Sequence, residues 1–122
     1  MAVDFYDGAI IYDFEHQQVH LCDLDMYRPG PYRLERDRQY GSTRFMAPEE
    51  FERGATIDER TTVFTLGRTA FVFLSEGQRG ENDAHLWRAS PAQYDVARIA
   101  TELNPDKRFA SVIEFLNAWR TA

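Results

Sequence analysis

Asp4, Asp7, Asp23 and Asp25 stand in two close pairs, one on either side of two short apolar runs. Acids at strand ends are either solvated charges or the oxygen ligands that a hard cation such as magnesium demands. An acid held beside an acceptor hydroxyl can also take its proton. Other chemistries are poorly served. His16, His20 and His85 share no ligand spacing, and the single cysteine, Cys22, cannot complete a zinc site or close an internal disulfide. Lys107 is the only lysine, and the chain has no Gly-Lys-Ser/Thr phosphate loop. Trp87 and Trp119 lie among apolar neighbours and read as packing residues.

The elements that must position these acids follow from the residue pattern. Residues 9–12 and 19–24 are strand-like runs, and the polar residues 13–18 between them suit a hairpin loop. Residues 26–39, with two prolines, Gly30 and four arginines, show no period and read as an exposed loop whose arginines face solvent. Pro48 followed by Glu49 and Glu50 suits a short helix from Ala47. Residues 61–75 are apolar on every face, which places a helix in the interior. Residues 76–84 form a polar break. Residues 92–103 are amphipathic, with Val96, Ile99, Ala100 and Leu103 on one stripe. The last helix carries Val112, Phe115, Leu116 and Trp119 on one face, and Ser111 and Glu114 have capping-box spacing. The fold class expected is α+β, mainly helical: a short hairpin, an irregular loop, then about four to five helices.

A chain of 122 residues makes one domain and buries about two thirds of its unfolded surface. With 43% hydrophobic and 28% charged residues it falls in the ordinary globular range. A net charge of −6 gives no electrostatic footprint for nucleic acid or an anionic membrane. No signal peptide and no bilayer-spanning run is visible, so the expected location is cytoplasmic.

Residues 41–51, Gly-Ser-Thr-Arg-Phe-Met-Ala-Pro-Glu-Glu-Phe, resemble the end of a protein-kinase activation segment, where the substrate loop runs into an Ala-Pro-Glu motif. Asp23-Leu24-Asp25 stands where such a kinase carries its metal-binding Asp-Phe-Gly. Residues 3–12 resemble the catalytic loop and the strand after it, and residues 57–67 resemble the opening of the central helix of the large lobe. Asn104-Pro-Asp-Lys-Arg108 resembles that lobe's Asp-Pro-x-x-Arg turn. The resemblance runs from Val3 to Trp119 and is to bacterial-type serine/threonine kinases. It implies a large lobe alone, divided into a catalytic and metal-loop hairpin (1–25), an activation segment (26–53) and a helical subdomain (58–120).

What the resemblance implies residue by residue is mixed. Asp4 takes the base position and Asp23 the magnesium position. Ser42 and Phe45 belong to the substrate loop, and Glu49 forms a structural ion pair with Arg108. Four positions are degenerate. Tyr6 replaces a lysine, Ala9 replaces the metal-binding asparagine, Asp25 replaces a glycine, and Thr62 replaces an aspartate that braces the catalytic loop. Ala2 and Val3 replace a His-Arg pair, and Asp7 is the acid left to stand in for the asparagine. No Gly-x-Gly-x-x-Gly and no strand lysine for ATP occurs.

Three functions then compete. One is a pseudokinase-like fragment, not competent for phosphotransfer alone and without a cofactor, that binds a protein partner or itself through the exposed hairpin. Another is the C-terminal portion of an active kinase that uses ATP and magnesium. The third is a helical domain whose pattern reflects ancestry only. Tyr32, Tyr40, Ser42 and Thr43 are phosphorylation points among which nothing in the sequence selects.

Overall fold

A computed structural model describes residues 1–75 and 83–122. The chain is α+β. The first sheet is a lone hairpin, β1 (Ile10–Asp13) and β2 (Gln18–Leu21), paired antiparallel with Ile10 opposite Leu21 and Tyr12 opposite Val19. The second is a two-residue pairing of β3 (Tyr32–Arg33) with β4 (Thr56–Ile57). Three α-helices follow: α1 (Glu59–Leu74), α2 (Pro91–Ala100) and α3 (Val112–Thr121). Among the described residues no helix is long and apolar enough to cross a membrane.

Each helix starts where its cap residue dictates. The Asp58 carboxylate accepts the Arg60 amide, Ser90 and Gln93 form a capping box ahead of Pro91, and the Ser111 hydroxyl accepts the Glu114 amide. Glu114 does not close a box with Ser111; its carboxylate reaches the Ala110 amide instead.

The core forms where α1 meets α2 and α3. Val63, Val96, Ala100 and Phe115 cluster there, with Leu66, Phe109, Val112, Ala118 and Trp119 packed against them. α1 and α2 approach so closely that a Cβ on Gly67 would lie 2.8 Å from both Ala100 Cβ and Thr101 Cγ2. Only glycine fits there. Trp87 is a packing residue, edge-on to Phe71, Tyr94 and Trp119, and its indole N–H donates to the Ser90 carbonyl.

The structure corrects several expectations. Three α-helices are present among the described residues rather than four to five. The segments beginning at Pro48 and Pro105 remain single 3-10 turns of four and three residues. On α2 the buried stripe is Val96, Ala97 and Ala100, whereas Ile99 faces solvent, and exposed Leu103 lies beyond the end of the helix. α1 is not apolar all round where it is most buried: Thr61, Thr65 and Arg68 are buried, and Phe73 is exposed. Residues 26–39 hold β3, and residues 22–24 lie outside β2. Residues 76–82 of the expected polar break lie outside the described residues.

Candidate functional site

Three elements meet at the site: the first loop, the segment 39–51, and α1, which bonds to both. α1 supplies the anchors. The Ala2 amide donates to Thr62 Oγ1 at 3.2 Å. Thr65 Oγ1 donates to the Phe45 carbonyl at 3.0 Å, and Arg68 Nε donates to the Arg44 carbonyl at 2.9 Å. A helix that is polar on this face and apolar toward α2 thus fixes two loops in register. Burial pushes the Arg68 guanidinium down.

Asp4 and Asp23 both sit in the left-handed region, at φ 58° and 55°. Non-glycine residues adopt it at a cost of order 1 kcal/mol or more and concentrate at functional sites. Gly41, at φ 151°, lets segment 39–51 pass close to the Asp4 Cα, and the Phe5 ring meets Phe45 edge-on at 6.0 Å.

The acids themselves are spoken for or isolated. Tyr6 OH donates to Asp23 Oδ2 at 2.5 Å, and this bond to a carboxylate raises the phenol above its ordinary value. Asp7 Oδ2 accepts Arg44 Nη2 at 2.9 Å, which holds the Asp7 carboxyl below its usual range. Ala9 is buried, and its methyl side chain offers no oxygen. Asp25 is exposed. No group of three or more histidine, cysteine or acidic side chains among the described residues is placed to hold a metal ion.

Segment 41–51 is anchored by α1. Phe45 is 1% exposed, so it is a core residue and not a contact surface. The Ser42 carbonyl accepts the Phe45 amide, and among the described residues its hydroxyl makes no bond to the first loop. Thr43, Arg44, Pro48 and Phe51 are its exposed part, with exposed Tyr40 just before it.

Glu49 and Arg108 form the buried tie between this segment and the helices. Arg108 Nη1 and Nη2 donate to Glu49 Oε1 and Oε2 at 2.6 and 3.0 Å. The remaining guanidinium N–H groups go to the carbonyls of Arg60, Glu102 and Leu103. Glu49 Oε1 also accepts Thr61 Oγ1 at 2.8 Å. Burial alone would raise the Glu49 carboxyl, but the bonds from Arg108 and Thr61 outweigh it and lower it.

Two features escaped the sequence reading. The loop arginines are exposed, as expected, but three of them stack on rings: Arg28 lies 3.7 Å over the Tyr32 ring, Arg36 4.4 Å over Tyr40 and Arg38 5.5 Å over Phe51. No sequence signal marks these contacts, because a four-residue spacing brings side chains together only on a helix. The other is Glu50, 3% exposed beside Glu49. Burial, and then the Glu49 charge, push its carboxyl up to about 7.

The hairpin is the opposite of anchored. Ile11, Tyr12, Phe14, Val19, Leu21 and Leu24 are all exposed, Phe14 at 83%. No protein-family model matches the chain, and no curated protein matches it.

Proposed function

We propose that this chain is a kinase-like large-lobe fold that carries out no phosphotransfer of its own. Its role in this reading is recognition of a protein partner through the exposed part of segment 40–51 and the apolar hairpin. The kinship is supported by the Glu49–Arg108 pair, which joins residues 59 apart in the sequence against the first turn of α1. It is supported further by Thr62, which bonds the first loop from the position where the family carries an aspartate.

The observation that carries the functional part is the Tyr6–Asp23 hydrogen bond. Magnesium takes near-octahedral oxygen coordination. Asp23 offers a carboxylate already engaged by a phenol, the Ala9 side chain offers nothing, and Asp7 is held by Arg44. These residues do not fit the ion, and no catalytic step is derived through it. Phosphoryl transfer rests on charge neutralisation and positioning. A chain with one lysine, remote from these acids in sequence, lacks those terms.

The test is a thermal-shift titration with millimolar ATP, with and without magnesium. A ligand present at 100 times its Kd stabilises by about 2.7 kcal/mol, several degrees in a domain of this size. No shift is expected. A saturable, magnesium-dependent shift would favour the alternative, the C-terminal portion of an ATP-dependent serine/threonine kinase.

A further inference from the structure

Glu50 is a buried acid that the proposed function leaves without a role. Its Oε2 accepts the Ala47 amide at 2.7 Å, and its backbone carbonyl accepts the Gln39 amide, also at 2.7 Å. One residue therefore ties down both ends of the loop between Gln39 and Ala47. Gln39 is itself buried; its side-chain amide donates to Tyr32 OH at 2.6 Å, and its side-chain oxygen accepts the Tyr40 amide.

The titratable and charged groups that act on Glu50 are Glu49 on its own turn and Arg108 on the turn before α3; Tyr32 on β3 feels its charge in return. Arg108 is the only cation among them, and a guanidinium has five N–H donors. All five are used: two on Glu49, and one each on the carbonyls of Arg60, Glu102 and Leu103. Two adjacent buried carboxylates thus share one cation that has no donor left for the second. An ionised Glu50 would keep a single neutral amide as partner, next to a like charge. That combination is costly, and the group either stays protonated or leaves.

We propose that Glu50 is a proton-operated latch on the loop 39–47. Neutral, it stays inside and holds the loop against the body of the domain. Ionised, it turns to solvent, gives up the Ala47 bond and loosens the segment that presents Tyr40, Thr43 and Arg44. The upward shift of its carboxyl sets the working range at the neutral edge of the physiological scale. As regulation of partner recognition, the latch rests on the function proposed above. As a property of the fold it does not, and its test needs neither partner nor nucleotide.

The experiment is amide hydrogen exchange of residues 39–47 in the wild-type chain and in Glu50→Gln, from pH 5.5 to 7.5, corrected for intrinsic rates. A carboxyl that ionises at 4.5 in the open form and at about 7 in the closed one raises the open population roughly 20-fold over that interval. That loss of protection is expected in the wild type, with amides of α2 and α3 unchanged. Glu50→Gln keeps an acceptor for Ala47 without the charge and is expected to stay flat. Equal pH dependence in both proteins, or none in the wild type, overturns the proposal. Should Glu50→Gln fail to fold, the carboxyl-carbon NMR titration of Glu50 in the wild type decides. A midpoint near 7 supports the latch, and one near 4.5 overturns it.

Discussion

Replacing Glu49 by glutamine tests the packing argument at its most exposed point. The Arg108 side chain is 0% exposed, and Glu49 supplies two of its five acceptors and its only countercharge among the described residues. Glutamine keeps the shape but leaves a buried cation facing three carbonyl dipoles and an amide. Breaking a buried pair by removing one partner costs about 3–5 kcal/mol. The retained carbonyls and the Phe64 ring 4.8 Å from the guanidinium carbon place Glu49→Gln at the lower end, about 3 kcal/mol. In a domain of this size total stability is about 5–15 kcal/mol, so the loss is large. Urea unfolding followed by circular dichroism measures it directly. The expected result is a lower midpoint with an unchanged slope. The double variant Glu49→Leu, Arg108→Met removes both charges and should recover most of the loss, because the desolvation cost disappears with the pair. A single-variant loss under about 1 kcal/mol, or a double variant no better than either single one, would refute the reasoning.

Other outcomes follow from the same geometry. Gly67→Ala should destabilise by about 1–3 kcal/mol in urea, since its Cβ meets Ala100 and Thr101 at 2.8 Å. Thr62→Val should cost about 1 kcal/mol and raise exchange at the Ala2 amide, its bonded partner. Stability should also depend on pH with two signs. Glu50 is raised in the folded state, so about 2–3 kcal/mol is lost as pH rises from 4.5 to about 7. Glu49 is lowered, so its contribution holds above 4.5 and is lost as pH falls below that value. A stability maximum near pH 5 is expected, and a monotonic rise to pH 8 would contradict the Glu50 assignment. Finally, the hairpin with Tyr12, Phe14, Val19 and Leu21 in solvent should self-associate at high concentration. Light scattering should show a dimer that Leu21→Lys dissociates, and a strict monomer would count against it.

How much of this was legible depended on whether a residue's signal was local. α1 announced itself by apolar residues on every face, α2 by its amphipathic period and α3 by its apolar face and Ser111 at its cap, because capping and periodicity are short-range. The Glu49–Arg108 tie was reachable only through the motif resemblance; nothing local in either residue points across 59 positions. Apart from that motif, Glu50 could not be told from Glu49. The two are chemically identical neighbours, and only the direction of each side chain decides which meets the cation. Ile99 and Leu103 satisfied the helical period, yet Ile99 lies off the side where Gly67 lets α2 in, and Leu103 lies beyond the end of the helix. The β3–β4 pairing is two residues long, below what alternation can reveal. Tyr6 and Asp23 are 17 residues apart and meet across the hairpin.

The central claim is that the acids of the first loop and of residue 23 do not assemble a nucleotide-bound metal site. Titration of the 15N-labelled chain with Mn2+ and ATP reads this directly, since a paramagnetic ion broadens amides around it. The account predicts no selective broadening of residues 4–9 and 22–25 up to millimolar complex. Localised, saturable broadening at Asp23 and Asp4, relieved by excess Mg2+, would contradict it.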